Sequence, residues 1–208
     1  MRRIENAEDI AEGLAWLRAR EPRFAEAEAV VAAVPLRRWP DGYGALLRIV
    51  AGQQLSVAAA DSVWRRLEAA GADTAEGVDA LSDAALRACG LSAAKARCAR
   101  ALARAEIDFD ALRHADDAAV AARLTAAPGV GPWTASIYMM FCHGRADVFA
   151  PGDLALQEAA RRLFALDARP SPPRLAALAE AWSPWRAVAA RLLWAYYGAI
   201  KGREGAAR

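Results

Sequence analysis

Cysteine and histidine are scarce in this sequence, and long hydrophobic runs are missing. The three cysteines, Cys89, Cys98 and Cys142, are too scattered for a disulfide framework or a four-thiolate metal site, which favours a reducing cytoplasm. The two histidines, His114 and His143, lack a set of ligand partners and are predicted to be solvated loop residues. No apolar run approaches the ~18–20 residues that cross a bilayer, so we expect no membrane association.

Alternating patterns typical of β-strands are also absent, because Val, Ile and Thr never cluster. Apolar residues recur at helical spacing, and 56% of the residues are hydrophobic against 25% charged. The sequence therefore predicts a packed all-α protein. Helices are predicted over residues 8–20, 24–34, 43–70 with a break near 52, 81–89, 92–106, 118–126, 133–143, 154–164, 174–182 and 186–200.

Charge alone selects no partner. The net charge is +2, which permits nucleic-acid binding without demonstrating it. Only Lys95 and Lys201 are lysines among the 27 basic residues, so the rest are arginines. Arginine pairs with phosphate through two parallel hydrogen bonds, but codon bias in a GC-rich genome explains the same excess.

The most informative segment is a short hairpin between two helices, residues 124–135, which reads Leu-Thr-Ala-Ala-Pro-Gly-Val-Gly-Pro-Trp-Thr-Ala. Gly129 and Gly131 are able to adopt positive φ, and Pro132 suits the first turn of the following helix. Backbone amides would then converge at a helix N-terminus, which binds a phosphate oxygen without reading bases. The alternative is an ordinary Pro-Gly helix connection.

This hairpin resembles that of the helix-hairpin-helix DNA glycosylases. Three further segments agree in the expected order: Ile49–Ser56, Asp147–Asp153, and the stretch from Trp182 to Trp194. The C-terminal stretch is similar to the last helix of the alkylation-repair branch, DNA-3-methyladenine glycosylase II. The resemblance covers roughly residues 43–200.

The resemblance implies a single domain, residues 1–208, with two lobes and an active-site cleft between them. One lobe would comprise approximately residues 43–135, with the hairpin at the junction. The other would combine residues 1–42 with residues 136–208.

The resemblance also assigns the catalytic carboxylate to Asp153. Taken alone, an Asp after Pro-Gly and before a helix is a capping residue, worth ~1 kcal/mol. The four motifs together favour catalysis: the oxocarbenium-like transition state carries positive charge, which Asp153 would stabilise while positioning water. A methylated purine is already cationic, so it leaves without a general acid. The expected function is excision of 3- and 7-methylpurines that are flipped out of duplex DNA.

By resemblance, Trp133 and Trp194 line the pocket for the flipped base, and Gln53 lies beside it. A cationic base stacks well on tryptophan, although both tryptophans also fit an apolar core. Gln54 occupies the position that fills the gap in the duplex, and Leu55 is the other candidate for this wedge. Pro128, Gly129, Val130, Gly131 and Thr134 are the hairpin residues expected at the DNA backbone.

Two absences sharpen these expectations. Where the strand-cleaving branch has a lysine that forms a Schiff base, this chain has Trp133, so no lyase activity is expected. No cysteine follows Cys142, which excludes a C-terminal iron–sulfur cluster. We expect no organic cofactor and no metal ligand set beyond a monovalent cation, Na⁺ or K⁺, at the hairpin carbonyls. The expected partner is damaged duplex DNA, bound by a monomer.

Two other functions stay open at this point. One is a glycosylase for oxidised or deaminated bases, and the other is a non-enzymatic DNA-binding protein that uses the hairpin as a scaffold. A basic stripe on the helix after Ser92 could touch phosphates, but a solvated face is the more common meaning. The stripe consists of Lys95, Arg97, Arg100 and Arg104.

Overall fold

The chain folds into thirteen α-helices and one 3₁₀ turn, in a computed structural model that describes residues 2–206, with only the backbone of residues 203–206. Within this range, β-structure is limited to an isolated bridge between Arg3 and Arg145. The all-α prediction is therefore confirmed. The helices are α1 (Ala7–Arg20), α2 (Arg23–Val30), α3 (Tyr43–Gly52), α4 (Val57–Ala69), α5 (Ala75–Ala80), α6 (Asp83–Ala88), α7 (Ala93–Ala103), α8 (Phe109–His114), α9 (Asp117–Thr125), α10 (Pro132–Phe141), α11 (Leu154–Leu163), α12 (Pro172–Ala179) and α13 (Arg186–Ala206), with the 3₁₀ turn at Glu180–Trp182.

Most helices begin where a side chain replaces the missing backbone partner of the first turn. In each case a side-chain oxygen of the N-cap residue accepts a hydrogen bond from the backbone N–H three residues later. These N-cap residues are Asn6, Ser56, Thr74, Ser82, Ser92, Asp108, Asp116 and Asp153. Short polar residues at these positions thus fix where the helices start.

The chain divides into two compact units. The first unit comprises Met1–Arg38 and Gly144–Arg208, and the second comprises Trp39–His143. Helix α10 lies wholly inside the second unit, because the division falls after its last turn.

In the first unit, α13 packs against α1, α2 and α11. Its buried residues include Val188, Leu192 and Leu193, as expected for a helix that is apolar on nearly all sides. Beside it, the rings of Phe24 and Trp182 meet edge to face, with centroids 5.4 Å apart. This core supports the segment that leads into α11.

In the second unit, α3 packs against α4, α7 and α10, and α10 also packs against α9. The core between α3, α4 and α7 includes Leu47, Val63, Leu67 and Ala99. These contacts fix the C-terminal end of α3 and the hairpin between α9 and α10.

The secondary-structure predictions were wrong at four helices. Helix α2 ends at Val30 rather than at residue 34, and α7 ends at Ala103 rather than near residue 106. Helices α5 and α8, of six residues each, were not predicted. Helix α6 is equally short, but Gly90 after it marked its end in the sequence. None of the helices within residues 2–206 has both the length and the apolar character that crossing a bilayer requires.

The prediction of a solvated His143 was also wrong. Its side chain is buried, and its Nε2 lies 3.4 Å from Asp41 Oδ2. The same carboxylate accepts a hydrogen bond from the hydroxyl of Tyr138 and pairs with Arg113 at 3.0 Å. The histidine therefore belongs to a polar cluster inside the second unit. His114, by contrast, is exposed at the end of α8.

Candidate functional site

Asp153 begins α11, and its half-buried carboxylate is held by its own helix. The Oδ1 atom accepts a hydrogen bond of 3.0 Å from the backbone N–H of Leu156. The backbone N–H of Asp153 donates to the carbonyl of Ala150 at 3.0 Å, closing the turn before the helix. The capping interpretation is therefore correct, and the positive end of the helix dipole faces the carboxylate.

A second donor reaches the same oxygen from α13. The indole Nε1–H of Trp194 donates to Asp153 Oδ1 at 3.1 Å. Trp194 is half-buried, whereas Trp182 and Trp185 are buried in the first unit. Sequence analysis predicted an aromatic surface at Trp194 but missed this bond, since 41 positions separate the two residues and no local pattern links them.

The loop before Asp153 is tied to the start of α13 by an ion pair. Arg186 donates from Nε and Nη2 to the two oxygens of Asp147 at 2.8 and 2.9 Å, and Ser183 Oγ donates to Oδ2 at 2.8 Å. Burial raises the pKa of Asp147, but the bonds from Arg186 and Ser183 outweigh burial and lower it below its ordinary value. A bidentate arginine pair fixes direction as well as distance. Asp147 was quoted in the sequence motif, but its positioning role was not predicted.

The buried side chain of Gln157 supports the same loop from inside α11. Its Nε2 donates to the carbonyl of Pro151 at 2.9 Å. The turn that carries Asp153 is therefore bonded at both ends, by Asp147 and by Gln157.

The hairpin connects α9 and α10 in the second unit, and its two glycines differ. Gly129 has φ +85°, and a Cβ placed there would lie 2.7 Å from Cys98 Sγ, so both the backbone and the packing require glycine. Gly131 has φ −96° and ψ 177°, so the expectation of positive φ is wrong there. A Cβ at Gly131 would have no atom of the described residues within 4 Å.

The other hairpin residues differ in their exposure to solvent. Pro128 and Gly129 are exposed, whereas Val130 and Thr134 are 4% and 1% exposed as whole residues. Val130 and Thr134 therefore offer almost no surface, backbone included, to a molecule outside. Helix α10 begins at Pro132 after Gly131, and no side chain of the described part of the chain caps it.

The hairpin is bonded to the end of α3 through Gln53. Its Nε2 donates to the carbonyl of Gly129 at 3.1 Å and to Thr134 Oγ1 at 2.9 Å. The next two residues, Gln54 and Leu55, are exposed. The segment that the resemblance placed in the duplex and the segment it placed at the backbone are thus parts of one bonded surface.

Trp133 lies in the first turn of α10 and is half-buried, so it is not a fully buried core residue. Its site role, like those of the other predicted residues, stays a prediction. The structure places Asp153 and Trp194 in the first unit, and Trp133, Gln53, Gln54, Leu55 and the hairpin in the second.

The basic stripe on α7 is only in part the solvated face that was favoured from sequence: Arg97 and Arg104 are exposed, whereas Arg100 and Lys95 bind groups of their own chain. Arg100 donates to the carbonyls of Val78 and Leu81 and to Asp83. Lys95 donates to two carbonyls at the end of α3. A similar pair on α11, Arg161 and Arg162, binds Glu158.

No group of three or more His, Cys, Asp or Glu side chains that could hold a metal ion occurs within residues 2–206. The three cysteines are buried free thiols. The monovalent cation at the hairpin carbonyls stays a prediction.

Comparison with solved structures gives the same fold. The 3-methyladenine DNA glycosylase Mag1 of Schizosaccharomyces pombe, solved in complex with abasic DNA, superposes with a TM-score of 0.82 at 26% identity over 88% of this chain and 95% of that chain. A DNA-3-methyladenine glycosidase from Bacillus halodurans gives a TM-score of 0.74 at 29% identity over 97% and 95% of the two chains.

Sequence relatives agree. DNA-3-methyladenine glycosylase 1 of Schizosaccharomyces pombe is 30% identical over 162 residues, 73% of this chain and 71% of that protein. The YfjP protein of Bacillus subtilis is 33% identical over 95 residues, 46% of this chain and only a third (33%) of that protein's length. The family model for HhH-GPD superfamily base excision DNA repair proteins matches residues 47–185. Because this match spans more than half of the sequence, the chain belongs to the HhH-GPD superfamily of base excision DNA repair proteins.

Proposed function

We propose that this chain is a DNA glycosylase that hydrolyses the N-glycosidic bond of 3- and 7-methylated purines in duplex DNA. The observation that carries the proposal is the half-buried Asp153 carboxylate at the start of α11, oriented by the N–H groups of Leu156 and Trp194. The names of the relatives, which are 3-methyladenine glycosylases, support the substrate class.

The reaction breaks the bond between the sugar C1′ and the base nitrogen. The bonding electrons leave with the base, which departs as a neutral methylpurine because the alkylated base was cationic. Positive charge grows on the sugar, and the Asp153 carboxylate stabilises it. Water then bonds to C1′, and its proton passes to the carboxylate or to solvent, leaving an abasic site.

The hydrogen bonds from the N–H groups of Leu156 and Trp194 orient the Asp153 carboxylate for this reaction. Both donors end on Oδ1, so they fix the direction in which the carboxylate faces. A carboxylate that already has its orientation requires little reorganisation when charge develops in the transition state. The same bond fixes the indole plane of Trp194, the predicted stacking surface for the base.

The hairpin supplies the sequence-independent grip. No described side chain caps the start of α10 at Gly131, and a Cβ placed at this residue would have open space around it. These features suit a phosphate oxygen. The wedge residues Gln54 and Leu55 project from a turn that is bonded to the same hairpin through Gln53.

We further propose that the enzyme lacks lyase activity. Trp133 has no amine with which to attack the sugar. Of the two lysines, Lys95 already donates to the carbonyls of Ala51 and Gln53, and Lys201 lies on α13 with its Nζ 5.8 Å from the ring of Tyr197. The product would be an intact strand with an abasic site.

The test is release of free base from methylated duplex DNA by the wild type and by Asp153→Asn. Asparagine still caps a helix, so folding is retained while the charge is lost. We expect the rate of methylpurine release to fall at least about a hundredfold with unchanged duplex affinity. Asp167→Asn is the matched control, because it removes an exposed carboxylate from the same unit.

The outcomes separate the alternatives. Wild-type rates in Asp153→Asn would refute the catalytic assignment. Duplex binding without methylpurine release by the wild type would indicate an oxidised or deaminated base as substrate and then, if these also fail, a scaffolding role. A strand break without alkali treatment would refute the absence of lyase activity.

A further inference from the structure

The turn that follows α3, residues 52–55, has an unusual backbone, and we call it the wedge turn. Gln53 has φ −53° and ψ 134°, and Gln54 has φ +58°. The N–H of Leu55 donates to the carbonyl of Gly52 at 3.2 Å. These angles and this bond define a type II turn, in which the third position normally belongs to glycine or asparagine.

Glutamine at that position stores strain. A positive φ at a residue other than glycine is energetically unfavourable and persists only where its surroundings enforce it. Side-chain packing does not enforce it here, since Gln54 is exposed and Leu55 and Val57 are 42% and 72% exposed. The conformation must therefore be held through the backbone and through Gln53.

Lys95 supplies the backbone contacts. From α7, its Nζ donates to the carbonyl of Ala51 at 2.8 Å and to that of Gln53 at 2.7 Å. Both carbonyls belong to the end of α3, where the helix has no further backbone N–H to satisfy them. Charged donors make the stronger class of hydrogen bond, and a cation at a helix C-terminus also interacts favourably with the helix dipole.

We propose that Lys95 is the positioning residue of the wedge turn. Its ammonium clamps the carbonyls on either side of Gly52, and the Gln53 side chain ties the same turn to Gly129 and Thr134 of the hairpin. These contacts hold the wedge residues Gln54 and Leu55 at a fixed distance from the hairpin that binds the phosphate. This inference rests on the proposed function, because it assigns the wedge turn to the flipping step.

The arrangement of Lys95 differs from that of a phosphate-binding lysine. Its ammonium is directed at its own chain, and burial lowers its pKa from the ordinary value. Arg97, two positions along α7, is exposed and has the same charge. A comparison of the two residues therefore separates clamping from a general electrostatic attraction to DNA.

The experiment compares Lys95→Met with Arg97→Met. The first readout needs no DNA: amide hydrogen exchange at residues 52–56. Loss of the clamp is expected to raise exchange there about tenfold in Lys95→Met and not in Arg97→Met.

The second readout is base flipping, followed by the fluorescence of 2-aminopurine next to an abasic analogue. The third is single-turnover release of methylpurine, expected to fall about tenfold in Lys95→Met. Affinity for undamaged duplex should change no more than in Arg97→Met.

Lys95→Gln is the second variant, in case the methionine fails to fold. Its amide donates to one carbonyl instead of two, so intermediate exchange and intermediate flipping are expected. Unchanged exchange at residues 52–56, or flipping and release no weaker than in Arg97→Met, would overturn the assignment of Lys95. A wild type that releases no base would refute the proposed function instead, while the exchange readout would still decide whether Lys95 holds the turn.

Discussion

Helices α10 and α11 are each ten residues long and each begin after a Pro- and Gly-containing turn, but their first turns are completed differently. The N-cap residue of α11 is Asp153, whose own carboxylate accepts from Leu156 N–H. The N-cap residue of α10 is Gly131, which contributes no side chain. One helix start is thus capped by a charged side chain of the chain itself, whereas the other has no side-chain cap within the described residues.

The contrast shows how one physical feature serves two purposes. Every helix start presents unpaired N–H groups and a partial positive charge. At α11 these groups orient a carboxylate that we assign to chemistry, and at α10 we propose that they bind a phosphate, which carries no sequence information. Because the two ends lie in different units, substitutions should separate catalysis from binding.

Gly131→Glu would place a carboxylate at the start of α10, as Asp153 does at the start of α11, and it has the largest expected effect. The φ and ψ of Gly131 suit any residue, and its Cβ position is open, so folding should be unchanged. A carboxylate there would repel the phosphate, and like charges in an interface cost several kcal/mol. We expect the Kd for duplex DNA to rise ten- to hundredfold, on the order expected for such repulsion. Fluorescence anisotropy measures this.

Gly131→Gln is the control for the size of that side chain. It should bind DNA more tightly than Gly131→Glu and should retain the wild-type melting temperature. Equal affinities of the two variants would mean that bulk, rather than charge, matters at the start of α10.

The two hairpin glycines provide the next contrast. Gly129→Ala combines a positive φ with a close approach to Cys98 Sγ, so we expect a loss of about 2–3 kcal/mol in the free energy of unfolding. Gly131→Ala meets neither obstacle and should stay within about 0.5 kcal/mol. Urea unfolding measures both. Cys98→Ala should restore part of the loss in Gly129→Ala, and no restoration would assign the whole effect to backbone strain.

A third helix start, that of α3, tests how much a carboxylate stabilises the fold without any role in chemistry. Asp41 Oδ1 accepts from the N–H of Gly42, and the side chain is 9% exposed. Burial raises the pKa of Asp41, but His143, Tyr138 and the charge of Arg113 outweigh it and lower the pKa from 3.8 to about 2.

The pH dependence follows from that shift. Because the folded state lowers the pKa, the stabilisation is complete above about pH 4 and is lost as the pH falls towards about 2. It amounts to roughly 2 kcal/mol. Urea unfolding between pH 7 and pH 2 should show this extra loss in the wild type and not in Asp41→Asn. Parallel curves for the two proteins would contradict the assignment.

The sequence predicted these elements unevenly, for physical reasons. The long amphipathic helices were predictable from the helical spacing of their apolar residues, and the N-cap of α11 was predictable from Pro-Gly-Asp. The inward direction of Lys95 was not predictable, because a polar residue on a helix is expected to face solvent unless the neighbouring element is known. The burial of His143 and the bond from Trp194 to Asp153 likewise depend on tertiary contacts between distant positions.

Trp194→Phe has the smallest expected effect of these substitutions, and it directly tests the hydrogen bonding of Asp153 at the start of α11. Phenylalanine keeps an aromatic surface but cannot donate to Asp153 Oδ1, whereas the bond from Leu156 N–H is retained. A hydrogen bond to a charged group contributes about 1.5–3 kcal/mol, part of which the transition state uses. We therefore expect single-turnover base release to fall about tenfold, with little change in duplex affinity.

The decisive control is the same substitution in the Asp153→Asn background. If Trp194 acts through the charge of Asp153, its loss should slow the residual reaction much less there than in the wild type, since the charged partner is already gone. If Trp194 serves only to stack on the base, the two losses should multiply. Additive free energies in this cycle would therefore remove Trp194 from the positioning of the carboxylate and leave it as a pocket wall.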